Sequence, residues 1–284
     1  MTKYFHNSKP EMSKIVKIRE EDEDTRTFFI KLPFTPKKPK PGQFVMLWVP
    51  GIDEFPIGVA GIRDQILELC VAKVGEGTEA LFELEQGDLV GIRGFFGKAF
   101  RIKKSITHII VGGGYGMPPL KYLIEEIIKG RTERDEIFVF EGAKTKEKLL
   151  YVELLEKWTK EKKIVFFPFT DDGSYGRKGF PTEGVKEYLN QDNKKSVVIY
   201  SAGPEKMMKI LFDICRNYNY IIDIQMSLAD RHMRCGFGLC GACVVDPEGL
   251  RICVDGPVFS KEQLERIADF GSYSRLPSGR KEEI

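Results

Sequence analysis

The chain changes its hydrophobic period near Ser105, and no single sheet or helical bundle can satisfy both halves. Before that point the sequence is a series of short β-rich runs, at 15–18, 27–32, 43–49, 66–74 and 89–93. Pro-Lys-Pro-Gly at 39–42 and Glu-Gln-Gly-Asp at 85–88 punctuate them as turns. Five or six strands at this spacing predict a small antiparallel barrel, with one helical turn over 79–84. After Ser105, strands at 107–111, 137–140, 164–167 and 196–200 alternate with amphipathic helices at 119–129, 148–157, 182–189 and 205–216. Such alternation predicts a parallel sheet covered by helices on both faces. A cysteine-rich block from about residue 224 and a polar tail from about 260 complete the chain.

At 284 residues there is room for about two domains. The 44 basic and 42 acidic residues nearly cancel, so there is no electrostatic case for nucleic acid or a membrane as main partner. No apolar run approaches the roughly 18 residues that span a bilayer. The first ten residues lack the apolar stretch of a secretory leader. The expected compartment is the cytosol, where thiols stay reduced.

Four of the six cysteines crowd into 19 residues: Cys235-Gly-Phe-Gly-Leu-Cys240-Gly-Ala-Cys243, then Cys253 after nine more. This C-x4-C-x2-C…C spacing is the plant-type arrangement for a 2Fe–2S cluster. Four thiolates must converge from one tightly wrapped loop with backbone N–H groups close to the sulfurs. Gly236, Gly238 and Gly241 remove the side chains that would block that approach. Structural zinc is the alternative for four cysteines, although zinc sites usually combine two short knuckles. Cys70 and Cys215 stand inside apolar runs and read as small buried hydrophobes. His232 reads as a surface residue, since four cysteines already suffice.

Three loops follow strands of the second half. Gly112-Gly113-Gly114-Tyr115-Gly116 runs from a strand into a helix that opens with Pro118 and Pro119. Glycines there let backbone amides reach a pyrophosphate at the helix N-terminus. Asp171-Asp172-Gly-Ser-Tyr-Gly176 and Ser201-Ala202-Gly203-Pro204 lie at the carboxyl ends of two further strands, where open α/β sheets bind ligands. In the barrel, 75–78 and 94–97 are read from composition as ordinary turns.

Taken together in order, these pieces resemble the ferredoxin–NADP reductase superfamily. Within it they are most similar to the electron-transfer subunits of two-subunit, NAD-linked dihydroorotate dehydrogenases. The resemblance rests on Pro41-Gly-Gln-Phe44, on 75–78 and on 94–97 with Phe100. It rests further on 112–120, on 171–179, and on 226–235 continued through 254–259. It implies a flavin-binding barrel over 1–102, an NAD-binding α/β domain over 103–223, a cluster arm over 224–260 and a tail over 261–284. It implies FAD contacts at Phe55, Pro56, Ile57, Gly58, Val71, Ala72, Lys73, Gly77 and Thr78. NAD(H) contacts are implied at Gly112, Gly113, Gly114, Gly116, Asp171, Asp172, Gly203 and Pro204, and cluster ligands at Cys235, Cys240, Cys243 and Cys253.

The implied partner is an FMN-containing catalytic dehydrogenase subunit in a heterotetramer, and the implied role is electron transfer in pyrimidine biosynthesis. No acid–base catalytic residue is required. The chain departs from the family at Phe55-Pro56-Ile57-Gly58, where the family has Arg-Pro-x-Ser. Flavin phosphate must then find another cation, with Lys73 as the candidate. Two alternatives remain at this point. One is a gamma or small subunit of a soluble hydrogenase, sulfide dehydrogenase or transhydrogenase complex; the other is a zinc-bearing adaptor without flavin.

Overall fold

A computed structural model describes residues 9–35, 37–104, 106–191, 195–276 and 278–284. Residues 1–8, on which most of the leader expectation rests, and Ser105, where the period changes, lie outside the described residues. The first half is a closed antiparallel barrel in the order β1-β2-β5-β4-β3-β6. Its strands are β1 (Glu11–Asp22), β2 (Thr25–Lys31), β3 (Phe44–Val49), β4 (Asp53–Arg63), β5 (Ile66–Ala72) and β6 (Leu89–Phe96). A short helix, α1 (Glu76–Phe82), follows β5.

Strand β3 explains how the barrel meets the rest. Its sequence, Phe-Val-Met-Leu-Trp-Val, has no polar alternation because both faces are covered. Val45, Leu47 and Val49 fill the barrel interior with Leu67, Leu69 and Ile92. Phe44 and Met46 point outward and join a core shared with the second sheet and the cysteine segment.

That second sheet has seven strands. Its main body is five parallel strands: β7 (Thr107–Gly113), β8 (Glu136–Ala143), β9 (Val165–Thr170), β11 (Val197–Ala202) and β12 (Ile221–Ser227). The two-residue β10 (Arg177–Lys178) flanks β9, and β15 (Val258–Ser260) runs antiparallel beside β12. The order is β10-β9-β8-β7-β11-β12-β15, so the chain reverses direction across the sheet between β7 and β11. Helices α2 (Met117–Gly130), α3 (Val152–Lys160), α4 (Pro181–Leu189) and α5 (Glu205–Cys215) connect the strands.

Helix α2 also ties the two halves together. Lys121 lies on its buried face and reaches Glu68 of β5 at 2.8 Å, with Glu125 at 3.1 Å. Removing one partner of such a buried pair costs on the order of 3–5 kcal/mol, because the other charge is left uncompensated.

The cysteine segment is an insertion between two neighbouring strands, β12 and β15. The expected boundary at 223/224 falls inside β12, whose Ile224 and Met226 belong to the shared core. Within the insertion are a small hairpin, β13 (Val244–Val245) with β14 (Leu250–Arg251), and the one-turn helix α6 (Ile252–Asp255). The stretch expected as a polar tail buries Leu264, Ile267 and Phe270 in the shared core. It begins with α7 (Lys261–Leu264) and ends in a hairpin of β16 (Tyr273–Arg275) and β17 (Lys281–Glu283). Among the described residues no helix is long and apolar enough to cross a membrane.

Candidate functional site

The loops after β7 and β11 meet where the sheet order reverses, the place at which open α/β sheets bind nucleotides. Contact is backbone on backbone. A Cβ at Gly116 would overlap the Ala202 carbonyl, and one at Gly203 would stand 2.7 Å from the Gly113 oxygen. Any side chain at these two positions would force the loops apart. Helix α2 starts directly after this junction with Pro118 and Pro119 in its first turn. Tyr115 stands half exposed beside it.

The carboxylates expected at the ribose divide. Asp172 accepts from the Ser174 amide at 2.9 Å and hydroxyl at 2.7 Å, and these bonds lower its pKa. Its carboxylate is therefore already engaged in holding the turn. Asp171 is exposed on the same loop, and among the described residues its carboxylate makes no side-chain hydrogen bond or ion pair. Acidic groups there favour a 2′-hydroxyl over a 2′-phosphate. NADH is expected to exceed NADPH in kcat/KM by tenfold or more, about 1.4 kcal/mol. Asp171→Ser should narrow that ratio, and equal kcat/KM values for the two nucleotides in the native chain would reject the assignment.

On the barrel side, β4 faces the start of α2: a Cβ at Gly58 would lie 3.8 Å from Pro119. Phe55, in the place of the family arginine, packs its ring on the first turn of α1. A Cβ at Gly77 would come within 2.8 Å of it. Thr78 donates to the Gly75 carbonyl at 2.8 Å and accepts from the amides of Val74 and Gly75. Its hydroxyl thus fixes the turn, and Val71 is buried in the barrel, so both can offer a ligand only backbone. Lys73 is exposed with its ammonium 5.9 Å from the Phe82 ring, and Arg26 stacks on the same ring at 4.9 Å. Among the described residues Lys73 makes no ion pair, whereas Arg26 pairs with Glu20 at 3.2 Å. Glu54, the anion next to Phe55, is bound bidentately by Arg93 at 2.7 and 2.6 Å. That pairing neutralises the Glu54 charge within the protein.

The four cysteines of the insertion fall into two pairs. The Cys243 and Cys253 sulfurs are 3.4 Å apart, and the Cys235 and Cys240 side chains interact with each other. Burial raises the Cys235 thiol, but the backbone amides of Cys240, Phe237 and Leu239 with the Cys240 thiol bring it down to about 7. Leu239 donates its amide to the Cys235 sulfur at 3.3 Å. Among the described residues no three His, Cys, Asp or Glu side chains converge as ligands of one metal ion. Two pairs of thiols, with amides turned toward sulfur, match the donor set of a two-iron cluster, in which each iron takes two thiolates.

The loop is pressed onto the barrel. Gly236 has φ of +80°, and a Cβ there would come within 2.9 Å of Met46 and 3.2 Å of Phe96. From the other side, buried Arg231 forks onto Glu205 at 2.7 and 2.5 Å and onto Asp269 at 3.0 Å. The insertion is thereby joined to the start of α5 and to the C-terminal stretch. Leu239 is 78% exposed and Phe237 is 37% exposed at the rim of the loop.

Cys215 is buried as expected, whereas Cys70 is only partly buried; each thiol is pushed up to about 12 mainly by burial. His232 is half-buried rather than on the surface, and burial followed by Arg234 lowers its pKa. A cleft of about 1140 Å³ opens between segment 37–41 and linker 97–102 and includes none of the expected ligand residues. Sequence reasoning missed Arg93 and Glu54, which are 39 residues apart and carry no motif.

Comparison with known proteins agrees with this geometry. The family described as iron-sulfur cluster binding domain of dihydroorotate dehydrogenase B matches residues 230–265, and the oxidoreductase NAD-binding domain matches 110–212. A Methanocaldococcus jannaschii protein named probable dihydroorotate dehydrogenase B (NAD(+)), electron transfer subunit, is 42% identical over 96% of this chain and 98% of its own. A Pyrococcus furiosus protein of the same name is 41% identical over 88% of this chain and 89% of its own.

Among solved structures, one described for flavin-based electron bifurcation by an NADH-dependent reduced ferredoxin-NADP oxidoreductase superposes with a TM-score of 0.75. It is 29% identical and covers 91% of this chain and 93% of its own. An Amycolatopsis cytochrome P450 reductase, 22% identical over 74% of this chain and 66% of its own, shares the fold with a TM-score of 0.65. By sequence over nearly its full length and by its arrangement of barrel, nucleotide sheet and cysteine loop, the chain belongs to the dihydroorotate dehydrogenase B electron transfer subunit family.

Proposed function

We propose that this chain passes electrons between an FMN-containing dihydroorotate dehydrogenase subunit and NAD, using FAD and one 2Fe–2S cluster, in pyrimidine biosynthesis. The observation that carries the reading is the seating of the cysteine loop. It lies on the outer face of the barrel, and the flavin-side strand β4 of that barrel abuts the nucleotide junction through Gly58 and Pro119. The three expected sites are therefore contiguous. Overall, dihydroorotate gives up two electrons and two protons, NAD takes one hydride, and one proton is released.

FAD, when bound, supplies the conversion between two-electron hydride transfer and one-electron transfer to the cluster. The residues that would hold it are 55–58, 71–73 and the 75–78 turn, with Lys73, which makes no ion pair among the described residues, as the cation for its phosphate. Cys235, Cys240, Cys243 and Cys253 would hold the cluster. NAD would lie on residues 112–116, 203–204 and Asp171. The chain's own work is placement: the glycine junction brings backbone amides to the nucleotide, and Lys121 holds barrel and sheet in one orientation. The reading places the protein in the cytosol, where the four thiols stay reduced for cluster assembly.

Anaerobically purified protein should carry about two irons and two sulfides per chain, together with FAD. One zinc and no sulfide would refute the reading. A co-purifying partner containing nickel instead of FMN would reassign the physiological donor. The exposed rim makes a further prediction, since contiguous apolar rims mark docking surfaces. Leu239→Asp should weaken association with the catalytic subunit while cluster content and NADH-to-dye turnover persist. Unchanged association in a pull-down would remove Leu239 from the interface.

A further inference from the structure

Arg93 of the barrel reaches the cysteine loop through both a hydrogen bond and a ring contact. It projects from the outer face of β6 beside Met46 and is only 6% exposed. One side of its guanidinium forks onto Glu54 of β4 at 2.7 and 2.6 Å. Its Nη2 also donates to the Cys235 carbonyl at 3.0 Å. The rings of Phe96, from the barrel, and Phe237, from the cysteine loop, each lie 5.6 Å from the guanidinium carbon. One planar cation therefore holds a carboxylate, a ligand-bearing backbone and two aromatic faces at once. Lysine, a point charge without the planar fork, cannot do this.

The contacts have two consequences. The first is mechanical: the loop can stay against Met46 and Phe96 because its first cysteine is tethered to the barrel. The second is electrostatic. A buried cation this close to the cysteines would favour the more negative, reduced state of anything they hold. Glu54 cancels that charge at contact distance, so the pair fixes position without adding a bare charge.

We infer that the Arg93–Glu54 pair is the positioning device that seats the cluster loop on the flavin barrel and sets the electrostatic level at which the cluster is reduced. The inference rests on the electron-transfer reading above. Arg93 acts through Cys235 and the loop backbone and is a positioning residue.

The test uses the full chain purified with its cofactors, in four forms: native, Glu54→Gln, Arg93→Lys and Arg93→Gln. Potentiometric titration of the cluster by electron paramagnetic resonance gives the electrostatic arm. Glu54→Gln should raise the midpoint potential, because Arg93 is left uncompensated. Arg93→Gln should titrate below Arg93→Lys, since both lose the fork and differ in charge. Amide hydrogen exchange over residues 235–240 gives the mechanical arm. Arg93→Lys should exchange there roughly tenfold faster than native, equivalent to about 1.4 kcal/mol of local opening. Its NADH-to-dye turnover should be retained.

Unchanged exchange in Arg93→Lys overturns the tether, and a Glu54→Gln potential at or below native overturns the electrostatic role. If both Arg93 variants fail to assemble a cluster, the sign of the Glu54→Gln shift decides alone. Zinc in place of iron would defeat the electron-transfer reading instead, and exchange in the zinc-loaded chain would still decide the tether.

Discussion

A Cys240→Ser chain is expected to purify without its iron–sulfide chromophore and to lose dihydroorotate-to-NAD activity to background, while NADH-to-dye reduction continues. Cys240 is exposed at the rim and interacts with Cys235, so its loss breaks one of the two thiol pairs. Serine is nearly isosteric and the position is solvent-facing, so the fold has little reason to respond. The Arg231 fork onto Glu205 and Asp269 would still hold the insertion to the sheet. On the proposed reading, NADH-to-dye reduction runs through the nucleotide junction and barrel residues 55–58, 71–73 and 75–78, not through the cysteine loop. The measurements are iron and sulfide content, the visible spectrum and the two activities in parallel. A Cys240→Ser chain with a full complement of iron and native dihydroorotate oxidation would show that the four cysteines are not the ligand set. Loss of both activities together would show that the loop and the nucleotide site are one folding unit.

Much of this arrangement is legible in the sequence. The cysteine spacing and the three strand-end loops were visible because their chemistry demands particular residues at fixed intervals. The period switch near Ser105 separated the barrel from the parallel sheet. What was missed shares a cause: local pattern hides what tertiary contact satisfies. Strand β4 carries Pro56, Gly58 and Gly61, which read as breakers, yet it pairs on both edges in the barrel.

Strand β12 holds Asp223 and Gln225, unpromising for a buried strand. Gln225 bonds the Arg101 carbonyl and Asp223 at 3.0 and 3.1 Å, so their polarity is met by the linker between domains. Leu264, Ile267 and Phe270 recur every three residues within a charged stretch. That spacing was an available signal that the supposed tail has a buried face. The Arg93–Glu54 pair and the Arg231–Glu205–Asp269 group had no such signal, because their members are brought together only by the fold.

Removing the charge of Glu141 is expected to stabilise the chain at alkaline pH by several kcal/mol. Glu141 stands near the end of β8, opposite Gly112, and is fully buried. Its Oε1 accepts from the Leu150 amide at 2.8 Å, while Oε2 has no hydrogen-bond partner among the described residues. Burial pushes its pKa up to about 8, only partly offset by the Leu150 bond. Between about 4.5 and 8 the folded chain keeps this proton while the unfolded chain releases it. Stability from this group is then fully present below the unfolded pKa and is lost as pH rises toward 8. At about 1.4 kcal/mol per pH unit across that interval, the loss is on the order of 4–5 kcal/mol. Glutamine has the shape of the protonated acid and keeps the acceptor for Leu150, but cannot ionise. Urea unfolding of native and Glu141→Gln chains at pH 5 and pH 8.5 measures the difference. The two should be nearly equal at pH 5, with the variant more stable by several kcal/mol at pH 8.5. Parallel pH profiles would mean that the carboxylate is ionised in the folded chain and that a cation or water the hydrogen bonds do not show compensates Oε2.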